Sequence, residues 1–193
     1  MATLESLNQS YPQTFPGKLE VLPEFRGETT WVADLSVLHD VMAALKADEF
    51  NYLVDVSSVD NYGDEPRFEM VYELFSYSTN ERLRVKSVVS EDHCSVPTVS
   101  DLWSTAEWHE REVYDMMGID FAGHPDLRRI LMWDGYPFFP LRKDFPLEGK
   151  ETAMPDIAFT KPAPLDGGPF VTSPASATAQ NREPRAKDFG DRS

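Results

Sequence analysis

The chain has 193 residues, with 18 Lys/Arg against 33 Asp/Glu and a net charge of −15. Such acidity speaks against nucleic acid as a partner, because phosphate binding wants a basic stripe. A single cysteine, Cys94, excludes an internal disulfide and a cysteine-ligated cluster, and no apolar run approaches the ~20 residues that span a bilayer. Hydrophobic content of 41% suits one packed domain of moderate size plus an appendage. The charge is uneven: residues 1–149 hold twelve Lys/Arg against twenty-seven Asp/Glu, whereas the remainder is balanced at six each.

Residues 1–18 carry Pro12, Pro16 and Gly17 and are expected to form an irregular lead-in. They lack the basic start and apolar stretch of a signal peptide, so the chain is expected to stay where it is made. Short strands are predicted over 19–22 and 30–33. Leu35, Leu38, Met42 and Leu45 then recur at helical spacing, with Asp34 placed as the N-cap. Three strands follow. The stretch 52–59 is rich in β-branched residues, 68–77 turns Phe68, Met70, Tyr72 and Leu74 to one face, and 82–89 turns Leu83, Val85 and Val89 inward. A hairpin loop at 78–81 would set Glu73 opposite Lys86 and Leu74 opposite Val85, pairing charges outside and apolar groups inside. His93 and Cys94, adjacent at a strand end, point opposite ways and are read as structural.

A helix is predicted from Ser104 to Gly118, opened by a Ser104/Glu107 capping box and closed by Gly118 in the left-handed conformation. At ~100° per residue, Trp103, Ala106, Val113, Tyr114 and Met117 share the core-facing arc. Glu107, Arg111 and Asp115 share a polar face at i, i+4 spacing. Two residues break the sorting: Glu110 lies inside the apolar arc, and Trp108 lies on the polar side. A carboxylate facing a core needs a cation or strong donors. Arg128 and Arg129 follow the turn Gly123-His124-Pro125, and Arg142, Lys143 and Asp144 follow Pro140. These cations could reach back to Glu110, Glu112 and Asp115, or outward to another protein. The fold class expected is α+β: a mixed or antiparallel sheet with helices packed on it over 19–118, then an extended proline-rich arm over 119–149. The tail 150–193, with Phe159 and Phe170 as isolated aromatics, is expected either to drape over a partner or to be disordered.

An enzyme reading rests on Glu107, His109, Glu110, Asp115 and His124. A helical zinc site wants two histidines at i, i+4 with a glutamate between, and this helix has one histidine. Nucleotide-binding, phosphate-binding and nucleophile-elbow motifs are missing too.

Three blocks carry a family resemblance. They are Glu110-Arg111-Glu112-Val113-Tyr114-Asp115-Met116-Met117-Gly118-Ile119, then Phe121-Ala122-Gly123-His124-Pro125-Asp126-Leu127-Arg128-Arg129-Ile130-Leu131, then Pro140-Leu141-Arg142-Lys143-Asp144-Phe145-Pro146-Leu147. Together they resemble the signature of the C subunit of proton-pumping NADH:quinone oxidoreductase, respiratory complex I. Where that pattern leads one to expect Gly-His-Pro, this chain has Phe138-Phe139-Pro140. The resemblance implies a non-catalytic subunit of the peripheral arm, docked on the D subunit beside the quinone site and the terminal cluster. The complex works with FMN, iron–sulfur clusters and quinone; this chain is expected to hold no cofactor and no metal. It implies a place at the cytoplasmic face of the bacterial inner membrane, or the matrix side in an organelle. The alternatives are the equivalent subunit of a related quinone oxidoreductase or membrane-bound hydrogenase and, more remotely, a small metalloenzyme. Residues expected to anchor the arm or meet the partner are Trp108, Glu110, Arg111, Asp115, His124, Arg128, Arg129, Arg142, Lys143, Asp144, Phe159 and Phe170. The sharpest expectation is that Arg128 or Arg129 pairs with Glu110.

Overall fold

The computed structural model describes residues 3–147, 149 and 150. The expected irregular lead-in is instead a helix, α1 (Leu4–Thr14). Thr3 caps it by accepting the Ser6 N–H, and Pro12 falls in the last turn, where the helix is about to stop. Tertiary anchors outweigh that proline. Leu7 and Tyr11 are buried, the Tyr11 hydroxyl donates to Asp48 at 2.6 Å, and the Trp31 indole donates to Asn8 at 2.7 Å.

The main sheet contains β1 (Leu19–Val21), β2 (Thr29–Ala33), β3 (Tyr52–Asp60), β4 (Phe68–Ser76) and β5 (Glu81–Val89), in the order β1-β2-β5-β4-β3. It is mixed, with β2 and β5 parallel and the other pairs antiparallel. Helix α2 (Leu38–Ala47) lies between β2 and β3 in the chain. Asp34 does not cap it: the N-cap position is Val37, because the Asp34 carboxylate is taken up locally by the Ser36 N–H and hydroxyl.

The β4–β5 register also differs from expectation. Glu73 faces Arg84 and Leu74 faces Leu83, since the loop is 77–80 rather than 78–81. The slip is two residues, so every side chain keeps its face. Phe68, Met70, Tyr72, Leu74, Leu83, Val85 and Val89 are all fully buried with Trp31, and they form one core with Leu38, Val41, Met42 and Leu45 of α2. On the opposite face Arg84 pairs with Glu73 and Glu28, and Lys86 pairs with Glu69.

Helix α3 (Ala106–Met117) adds Ala106, Val113, Met116 and Met117 to the core. No boundary follows it at Gly118. The chain runs on into β7 (Asp120–Ala122), which pairs parallel with β6 (Ser95–Pro97), and one compact unit extends to Pro146. Among the described residues, no helix is long and apolar enough to cross a membrane.

Candidate functional site

The site is α3 together with the segment 119–146 that folds back over it. The expected capping box does not form: the N-cap is Thr105, with no side-chain cap bond. A turn replaces it, in which the Trp103 N–H bonds to Val99 O and the Ala106 N–H to Trp103 O. At the other end Gly118 adopts φ +73° as expected, and its N–H closes on Tyr114 O.

Glu110 is fully buried, as its position in the apolar arc demands. Neither arginine reaches it. Its carboxylate accepts the Val99 N–H at 2.7 Å and the Thr98 hydroxyl, so the loop before the helix supplies its partners. His124 Nε2 stands 3.9 Å away. The His124 Nδ1 accepts the Asp126 N–H, which leaves the proton on Nε2 to donate to Glu107 O. His124 therefore ties the Gly-His-Pro turn to α3 through the backbone. Burial, only partly offset by the Thr98 and Val99 bonds, pushes the Glu110 carboxyl up to about 7.

The arginines serve Asp115 instead. Asp115 is also fully buried, although the helical wheel put it on the polar face; the returning chain covers that face. One carboxylate oxygen accepts three successive backbone N–H groups, from Ile130, Leu131 and Met132, at 3.0, 2.7 and 2.9 Å. The other accepts Arg129 at 2.6 Å, and Arg129 also donates to Asp115 O. Burial alone would raise the Asp115 carboxyl, but these donors outweigh it and hold it below the usual carboxylate range. Arg111, also buried, donates to Arg128 O and lies 4.9 Å from the Trp108 ring. Arg128 itself is 66% exposed and, among the described residues, forms an ion pair only with Asp126, at 2.8 Å.

The last signature block caps the helix. Leu141 N–H bonds to Met116 O, and Arg142 donates to Met117 O at 2.6 Å, a cation at the negative end of the helix dipole. The Phe139 ring lies within cation–π distance of two guanidiniums, Arg142 at 4.6 Å and Arg129 at 5.2 Å. A Cβ on Gly118 would come within 2.6 Å of that ring, so glycine is required there twice over. Next along the chain, the Lys143 N–H bonds to Asp60, and Asp144 pairs with Arg67 at 3.0 Å.

Arg67 and Asp60 escaped the sequence reading. Arg67 is 4% exposed and grips Asp60 through two bonds, 2.8 and 2.9 Å, while also reaching Glu91. Its hydrogen bonds, Asp60 first, hold both Asp60 and Asp144 below their ordinary range. Asp144 lies 77 residues away in sequence, and no local pattern announces such a partner.

The supposed metal cluster is dispersed. His109 turns to Asp55 at 3.2 Å, Glu110 and His124 lie in the interior, and Asp115 is occupied by its backbone donors. Among the described residues no group of three or more His, Cys, Asp or Glu could hold a metal ion. Trp108 is 60% exposed. Phe159 and Phe170 lie outside the described residues.

Comparison with known proteins places this arrangement. The family model described as respiratory-chain NADH dehydrogenase, 30 Kd subunit, matches residues 32–151. The NADH-quinone oxidoreductase C subunit of Geotalea uraniireducens is 44% identical over 140 residues, covering 72% of this chain and 85% of that protein. The C subunit of Geobacter metallireducens is 48% identical over 139 residues, covering 71% and 86%. Among solved structures, a trypsin-resistant fragment of Nqo5 is 33% identical with a TM-score of 0.57, covering 64% of this chain and 98% of the fragment. A chain of the membrane-bound sulfane sulfur reductase, an archaeal respiratory membrane complex, shares the fold at 24% identity and a TM-score of 0.64, covering 74% and 85%. The chain belongs to the respiratory-chain NADH dehydrogenase 30 Kd subunit family, that of the C subunit of complex I.

Proposed function

We propose that the chain is a non-catalytic subunit of the peripheral, quinone-side arm of NADH:quinone oxidoreductase, at the cytoplasmic face of the membrane. It supports electron transfer from NADH to quinone, coupled to proton translocation, by docking against the D subunit; FMN, iron–sulfur clusters and quinone belong to other parts of the complex. The observation that carries this reading is the fate of the signature residues. Asp115, Arg129 and Arg142 all bind one another or backbone, and so fix the shape of the surface rather than present a reactive group.

The test compares assembly with turnover. In a strain whose own copy is deleted, Arg129→Met in the full chain is expected to lower the amount of assembled oxidoreductase. Quinone reduction per assembled complex should stay unchanged. The purified chain is expected to carry neither a flavin band nor a stoichiometric transition metal. A normal amount of complex with impaired turnover, or a bound metal or flavin, would overturn the reading.

A further inference from the structure

His124 has one ring proton and two acceptors close by. Its side chain and that of Glu110 are both fully buried, with Nε2 3.1 Å from Glu107 O and 3.9 Å from a Glu110 carboxylate oxygen. Residues three apart on a helix are neighbours, so both acceptors face the same edge of the imidazole. The Nδ1 lone pair is taken by the Asp126 N–H, and the ring cannot gain a second proton without giving up that bond. Glu107 O, like any carbonyl inside a helix, also accepts the N–H four residues on, and so keeps a donor if His124 leaves it.

The acceptor whose strength can change is Glu110. Its two donors, the Val99 N–H and the Thr98 hydroxyl, are neutral, and a buried carboxylate that ionises calls for more. The surrounding elements send it no cation. On its own helix the Arg111 guanidinium is turned to Arg128 O; on β3, Asp60 is held by Arg67 and Asp55 by His109; on β7, Asp120 is exposed. Asp101, paired with His39 ahead of the helix, adds a negative charge that opposes ionisation. From β4 comes the Tyr72 phenol, fully buried, which burial and the Glu110 charge keep protonated. His124 offers an N–H that needs to move only slightly.

We propose that Glu110 and His124 form a proton-linked switch in the Gly123-His124-Pro125 turn. With Glu110 protonated, the imidazole N–H ties the turn to Glu107 O. When the carboxyl ionises, the same N–H crosses to it, closing the 3.9 Å separation to the ~2.8 Å of a charge-assisted hydrogen bond. Burial of the carboxyl places this exchange near pH 7. Its proton passes through Thr98 and Ser100, whose hydroxyls lie 2.7 Å apart and lead from the carboxylate to the half-buried Ser100. Each hydroxyl gives up one proton as it takes the next, so neither changes charge. Movement is confined to the turn: before it β7 is paired with β6, and after it Arg111 holds Arg128 O and Asp115 holds Ile130 to Met132.

An NMR titration of the full chain tests it, with isotope labels in the glutamate carboxyls and the histidine rings. The expected result is that the His124 Nε2–H resonance moves with the same midpoint, near pH 7, as the Glu110 carboxyl. Nδ1 should stay unprotonated throughout. Glu110→Gln should hold Nε2–H at its low-pH position at every pH. His124→Phe should raise the Glu110 midpoint by roughly one pH unit, because the ionised form loses a hydrogen bond. Should either variant not fold, the titration of the native chain decides the matter. An Nε2–H resonance that stays put while Glu110 titrates overturns the switch, and so does an unmoved midpoint in His124→Phe. Proton uptake at Nδ1 overturns it too, since the two groups would then form an ordinary ion pair. The switch lies within one chain, so these outcomes leave the subunit reading untouched.

Discussion

Glu110 and Asp115 sit five residues apart on one helix, both fully buried, and their environments drive them in opposite directions. Glu110 meets one backbone N–H and one hydroxyl, both neutral, and its carboxyl rises to about 7. Asp115 meets three backbone N–H groups and a guanidinium, and its carboxyl falls. Burial alone therefore does not set the charge of a carboxylate; the number and charge of its donors do. The contrast also divides the labour of α3. Glu110 holds the loop before the helix, and Asp115 holds the chain that returns after it.

The largest expected effect comes from breaking the stronger site. Asp115→Asn removes the charge that Arg129 pairs with and turns an amide NH2 towards either Arg129 or the three N–H groups, for an expected loss of about 3–5 kcal/mol in urea unfolding. The next effect separates the two carboxylates by pH. Glu110 has its folded value raised from 4.5 to about 7, so the native state holds that proton more tightly than the unfolded chain. Its contribution is full below pH 4.5 and disappears as pH rises through about 7, by roughly 3 kcal/mol at most. Asp115 behaves oppositely: its contribution is present above pH 3.8 and disappears as pH falls through its lowered folded value. Glu110→Gln, which mimics the protonated form, should flatten the stability profile between pH 5 and 8. Unfolding free energies at both ends check this; an unchanged slope would mean that Glu110 is not the group responsible.

The same contrast shows where sequence reasoning reached and where it stopped. Helical periodicity placed Glu110 in the core, and strand alternation sorted both faces of β4 and β5 even though the register was two residues out. Both readings depend on side-chain parity, which such a slip preserves. Periodicity failed at Asp115 and Arg111, because a helix face that looks polar can be buried by a later stretch of chain. The partners of Asp115 are mostly backbone N–H groups, which every non-proline residue has and no pattern marks. Prolines marked 119–149 as an extended arm after the α+β domain, and β7 and the Arg142 cap bind the described part of it to that domain. Helix α1 was hidden in the same way by Pro12.

Smaller effects sharpen the account of the returning chain. Gly118→Ala drives a Cβ towards the Phe139 ring and strains a left-handed residue, so a loss of about 1–3 kcal/mol is expected by thermal or urea unfolding. Arg128→Ala, at an exposed pair, should change stability by no more than ~0.5 kcal/mol. A large loss there would show that Arg128, not Arg129, carries the anchoring.

Arg129 fixes the returning chain through Asp115 and not through Glu110. A double-mutant cycle in urea unfolding addresses it most directly, pairing Arg129→Met first with Asp115→Asn and then with Glu110→Gln. A coupling of about 2 kcal/mol or more is predicted for the Asp115 cycle, and near zero for the Glu110 cycle. Strong coupling to Glu110 with none to Asp115 would contradict the account.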